Sequence, residues 1–141
     1  MSSERRQARE RALGLLYEAE TKSQSPAALV AEQVLEPDPF AVDVVNGVET
    51  SQAEIDALIT RFARNWPLAR MPALDRTLLR MGVYELTHRP DVPTGVVLSE
   101  IVDLASEYST DDSGPFVNGV LAAIAAEVRT DGDPQAQPAS G

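Results

Sequence analysis

The chain has 141 residues, 22 acidic and 12 basic, and a net charge of −10, a length that fits one domain with a real core. With 43% hydrophobic residues it should fold rather than stay disordered. The lack of cysteine excludes disulfides, thiolate metal sites and cysteine nucleophiles, and neither a bilayer-length apolar run nor a secretory leader is present, which points to the cytoplasm.

Net acidity argues against nucleic acid, because phosphate repels such a surface. Distribution matters more than the sum. Arg5, Arg6, Arg9 and Arg11 cluster near one end, so any polyanion binding must be local to that patch.

Ser3 is placed to cap a first helix running to about Lys22. Ala8, Ala12, Leu13, Leu16 and Tyr17 recur along it at helical spacing and define its buried face. Cations in its first turns oppose the helix dipole, a local cost that invites a functional reason. Ser25-Pro26 restarts the chain, and Leu29, Val30 and Val34 mark a short second helix closed by Pro37. Asp38-Pro39 repeats the start signal for a third, with Phe40, Val44, Val45 and Val48 inward. Ser51 and Glu54 have the spacing of a capping box. They open a fourth helix carrying Ile55, Leu58, Ile59 and Phe62. Asn65-Trp66-Pro67 ends it, with Trp66 expected to anchor the connection to the next helix.

That next stretch, Pro72 to His88, is the element around which the chain is organised. It is apolar over most of its circumference, which predicts burial between several neighbours. Arg76, Thr77, Arg80 and Tyr84 form a narrow polar side. Asp75 and Glu85 fall on the apolar side, where a carboxylate must be paired or face a partner. After a rigid Arg89–Pro93 turn, Val97, Ile101, Leu104, Ala105 and Tyr108 give a sixth helix. A polar loop over Ser109–Gly114 follows. Phe116, Val117, Val120, Leu121, Ile124 and Val128 give a seventh. Residues 130–141 are rich in Gly, Pro, Gln and Ser, which predicts a disordered tail behind a domain of residues 1–129.

No useful β-alternation occurs, so the fold class is all-α, two small helical bundles of about seven helices packed as one domain. A short self-similarity links Pro39-Phe40…Val45-Asn46-Gly47-Val48 with Pro115-Phe116-Val117-Asn118-Gly119-Val120. In both, glycine between valines would permit close helix contact.

Catalysis finds little support, and no cofactor is implied. His88 is the only histidine and sits at a helix end, where it suits carbonyl capping. No phosphate loop, Ser-His-Asp set or zinc spacing is present. Asp111-Asp112 reads as a solvated loop rather than a metal pair. The arginine cluster has two readings. One is a solvated helix start with weak surface pairs, the commoner fate of such charge runs. The other is RNA, since arginine pairs with phosphate and stacks on bases. Tyr17 and Phe116 could offer stacking surfaces, although a place in the core is the commoner fate of each taken separately.

Taken together, these residues resemble the NusB family of bacterial transcription antitermination factors. The likeness runs through Arg5-Arg6-Gln7-Ala8-Arg9-Glu10 to Leu16-Tyr17, then Asn65-Trp66-Pro67-Leu68-Ala69-Arg70. It continues through Asp75-Arg76-Thr77-Leu78-Leu79-Arg80 to Tyr84-Glu85-Leu86, then Val92-Pro93, Ser99-Glu100, Leu104-Ala105 and Phe116–Leu121. It spans most of the chain to about Val128, leaving out Ser23–Asp38 and the tail.

The resemblance implies two three-helix subdomains with an extra helix possible. It implies binding of boxA-type RNA in ribosomal RNA transcripts together with the ribosomal protein that doubles as NusE, in a complex with other Nus factors and RNA polymerase. On this basis Arg5, Arg6 and Arg9 would contact RNA, with Tyr17, Phe116 and Asn118 beside it. Asp112 would be a loop carboxylate that weakens binding. Glu85, with Arg76, Arg80 and Tyr84, would face the partner. Pro115 departs from the basic residue common at its position, and with the acidity this predicts weak RNA binding without the partner. The alternative is a helical protein-interaction module with no RNA role. A homodimer hiding the arginines is a further possibility.

Overall fold

The central helix, α5 (Ala73–His88), is flanked by five others in the computed structural model, which describes residues 4–129. The order is α1 (Glu4–Thr21), α2 (Pro26–Ala31), α3 (Pro39–Thr50), α4 (Gln52–Phe62), a single 3-10 turn (Leu68–Arg70), α5, α6 (Thr94–Tyr108) and α7 (Ser113–Val128). Among the described residues there is no strand. α1, α2 and α3 pack on one another, α7 packs on both α4 and α6, and α5 packs against α1, α3, α4, α6 and α7.

Burial explains the arrangement. Every residue from Thr77 to Leu86 except Arg80 is buried. Val44, Val48, Ile55, Ile59, Val97, Ile101, Leu104, Leu121 and Ile124 close around α5 as one continuous core. The helical period placed most of these inside. Side chains are packed so closely at Gly47 that an added Cβ would overlap the Tyr84 ring, and at Gly82 one would overlap Leu121.

Several local expectations are corrected. α2 ends at Ala31, and Val34 is 98% exposed rather than inward. Ser51 closes α3 and opens α4 without a side-chain cap, so the predicted capping box does not form. Asp38 does cap α3, accepting from Phe40 N–H at 2.7 Å. α7 begins at Ser113, inside the expected loop. Gly119 meets nothing within 4 Å, so the apparent repeat does not share the close contact of Gly47. Trp66 does anchor the connector, packing edge-on against Phe116 of α7 with ring centroids 4.8 Å apart. Arg76 of α5 holds the same segment by donating to the carbonyls of Leu68 and Met71. Ser3 and the tail lie outside the described residues.

Candidate nucleic-acid interface

The arginines adjacent in sequence separate in space, because successive helix positions turn by about 100°. Arg5 points toward α3, its guanidinium 4.1 Å from the Phe40 ring centroid. It is exposed and makes no ion pair among the described residues. Arg89 and Arg9 approach the same ring at 4.8 and 5.1 Å. One phenyl therefore gathers three cations, each favoured over the electron-rich face. Arg89 is held by Asp43 at 3.0 Å and Asp91 at 2.9 Å. The Arg89 guanidinium keeps the Asp91 carboxyl below its ordinary range by hydrogen bonding, against the opposing effect of burial.

Arg9 turns inward. Its side chain is 1% exposed and that of Glu85 is fully buried. The two form a bidentate pair, Nε to Oε2 at 2.9 Å and Nη2 to Oε1 at 2.7 Å. Glu85 is thus the paired carboxylate of the two options and does not face out to a partner. Arg9 has no path to an RNA phosphate while that pair stands. Its role in this geometry is to fix α1 against α5.

Arg6 points the third way, toward α6. It donates to Glu107 at 2.9 Å and lies 3.7 Å from both Glu100 and Asp103. Glu10, one turn on, lies 4.0 Å from Arg6 and accepts from the Tyr108 hydroxyl at 3.0 Å, joining α1 to the end of α6. That bond raises the Tyr108 hydroxyl above its usual range. Tyr17 lies on the same edge of α1, about 16 Å beyond Arg6 along the axis, and is 42% exposed. The expectation that Tyr17 belongs to the buried face is corrected: Leu15 takes that place.

The α6–α7 turn is built on a buried carboxylate. Asp75 accepts hydrogen bonds from Ser109 at 2.5 Å and Ser113 at 2.8 Å, which satisfies it at the start of α5. Beyond it, Asp112 and Asn118 are exposed and Phe116 is half-buried against Trp66. The ion pair of Arg76 with Glu20 ties α1 to the start of α5. These links bring Tyr17, Asp112, Phe116 and Asn118 to elements that are joined to one another.

The other residues expected to meet a partner are occupied. Arg80 is forked onto Asp56 at 2.8 and 3.0 Å. Arg76 holds Glu20 and the connector. Tyr84 is buried, with its hydroxyl 3.0 Å from both oxygens of Asp43. Burial first, then that bond, pushes the phenol up to about 12. The polar side of α5 therefore faces carboxylates of α1, α3 and α4. His88 stacks on Tyr84 at 5.0 Å instead of capping carbonyls.

Sequence reasoning missed two sets of residues. Arg129 does the capping expected of His88, donating to the carbonyls of Glu85, Leu86, Arg89 and Val92. A lone arginine before a Gly- and Pro-rich stretch gave a weak signal. Arg64 and Arg70, on the connector around Trp66, are exposed without ion pairs among the described residues. Neither lies on an α-helix, so no helical periodicity marked them, and Arg70 entered only through the likeness.

These features define an all-α protein with an arginine-bearing helix edge. Among the described residues, no cluster of His, Asp or Glu is placed to hold a metal ion, and no helix is long and apolar enough to cross a membrane. The NusB family model matches residues 6–126. The chain belongs to the NusB family. A transcription antitermination protein NusB from Kineococcus radiotolerans is 47% identical over 125 residues, covering 86% of this chain and 92% of that one. The protein of the same description from Clavibacter michiganensis is 50% identical over 133 residues, covering 88% and 97%. Among solved structures, NusB of T. maritima superposes with a TM-score of 0.79 at 29% identity, covering 95% of this chain and 96% of that chain. A chain from a structure of antitermination factors NusB and NusE in complex with dsRNA gives 0.75 at 31% identity, covering 88% and 97%.

Proposed function

We propose that this chain is a transcription antitermination factor that binds boxA-type RNA of ribosomal RNA transcripts together with a NusE-type ribosomal protein. The observation that carries the reading is the outward edge of α1. Arg6 and Tyr17 share that edge, which is hydrogen-bonded to the end of α6 through Glu10 and Tyr108. Arg5 adds a cation stacked on Phe40 and free of ion pairs among the described residues. A cation and an exposed ring on one edge suit a single strand, which offers phosphates and unstacked bases together. The solved structure of NusB and NusE with dsRNA, at 31% identity, supports both the partner and the ligand class. On this reading half-buried Phe116 and exposed Asn118 contribute from α7, and exposed Asp112 at the start of that helix adds a charge that repels phosphate.

Arg9 is assigned to positioning α1 rather than to RNA. Glu85 is buried and bonded to Arg9, so this reading does not use its carboxylate as a direct partner contact.

The test is RNA binding by the full chain with and without the ribosomal protein. Replacing Arg5 and Arg6 by Ala should weaken binding and lower the salt slope by about one to two units. Unchanged affinity would remove the arginine assignment. The second reading, a protein-interaction module without an RNA role, is favoured by the carboxylates around Arg6. It predicts partner capture with no RNA retained under any salt condition.

A further inference from the structure

We propose that the acidic edge of α6 is a built-in competitor for the RNA backbone at Arg6 and sets how tightly this chain holds RNA without its partner. The inference rests on the RNA reading above and deepens it. Glu100, Asp103 and Glu107 recur at helical spacing and present one edge to α1. Arg6 meets all three at 3.7, 3.7 and 2.9 Å, with Glu10 at 4.0 Å from its other side. The Arg6 side chain is only 18% exposed, whereas those of Asp103 and Glu107 are 63% and 50% exposed.

A phosphate arriving at Arg6 therefore meets carboxylates already in its place. Single exposed pairs are weak, but these are tethered and always present, so they compete at high effective concentration. Glu100 strengthens the hold. Its Oε1 is buried and accepts no hydrogen bond among the described residues. What balances that oxygen is the pair of guanidinium groups of Arg6 at 3.7 Å and Arg9 at 3.9 Å. Arg9 is committed to Glu85. Swinging Arg6 out to a phosphate leaves Glu100 with less compensation, which is costly for a buried charged atom. RNA binding is thus opposed twice, by displaced carboxylates and by the oxygen left behind.

Neutralising the two exposed members tests this. Asp103→Asn with Glu107→Gln should tighten binding of a fluorescent boxA-type RNA oligomer to the full chain roughly tenfold at low salt, about threefold for each charge. Glu36→Gln with Glu54→Gln, exposed carboxylates away from Arg6, is the charge-matched control. The gain should exceed the control and vanish when Arg6→Ala is added, because the effect runs through that side chain. A second readout needs no RNA: Arg6 should react faster with an arginine-selective dicarbonyl in the neutralised variant. If the wild-type chain binds RNA but the neutralised variant gains no more than the control, the inference is overturned and the RNA reading stands. If no variant binds RNA, with or without the ribosomal protein, the RNA reading falls and the inference with it, even where labelling shows Arg6 released.

Discussion

Arg9 lies between Arg6 and Arg11 on α1, yet its guanidinium ends fully enclosed on Glu85. Enclosing two ions is worthwhile only when each satisfies the other, and removing one partner leaves a stranded charge, at a cost of about 3–5 kcal/mol. Glu85→Lys should therefore lose the fold rather than selectively lose partner capture. Arg9→Ala should lower stability by a comparable amount in urea unfolding. A folded Glu85→Lys variant with an unchanged midpoint would refute the pairing. Replacing both by Met and Leu should recover much of the loss, since apolar residues of similar volume need no pairing. Tyr84 makes a pH prediction. Its phenol keeps its proton to about 12 in the folded chain, against an ordinary value of 10. Between those values the unfolded chain releases a proton that the folded one holds, so this contribution is complete below pH 10 and is lost as pH rises toward 12. Phenolate absorbance should show a late component missing in Tyr84→Phe, which should also lose less stability over that range.

Between elements, the two look-alike segments separate a packing glycine from a surface one. Gly47 lets α3 approach α5 until the Tyr84 ring fills the space a Cβ would need. Gly47→Ala must move that ring off Asp43, an overpacking change that should cost about 1–3 kcal/mol. Gly119 faces open space on α7. Gly119→Ala should be neutral or stabilise by up to about 1 kcal/mol, because helix interiors favour alanine. Thermal unfolding of the two variants checks both signs, and equal destabilisation would contradict the asymmetry. The same reasoning explains why α5 carries polar residues on its narrow side: α1, α3 and α4 each supply a carboxylate there, so Arg76, Arg80 and Tyr84 are bonded rather than exposed.

For the whole molecule, Arg129 closes the chain onto its own centre. Its guanidinium satisfies carbonyls at the end of α5 and also the Thr94 hydroxyl at 3.0 Å, joining α5, α6 and α7. Arg129→Ala leaves those acceptors short of donors and should cost about 1–3 kcal/mol, a drop in Tm of several degrees. Removing residues 130–141 alone should leave Tm unchanged; a drop would show that the tail belongs to the folded unit. The sequence by itself determined the seven helices, the burial of α5, the cationic end of α1 and, through the joint pattern of its residues, the family. It placed Glu85 among apolar neighbours and required a partner for it. Which group answers was decided only in three dimensions. Arg9 is 76 positions away and Glu107 is 101 positions from Arg6. Helical periodicity tells where a side chain points relative to its own axis. It says nothing of which other helix lies there, and that neighbour decides whether an arginine is a structural ion, a restrained one or a free contact for RNA.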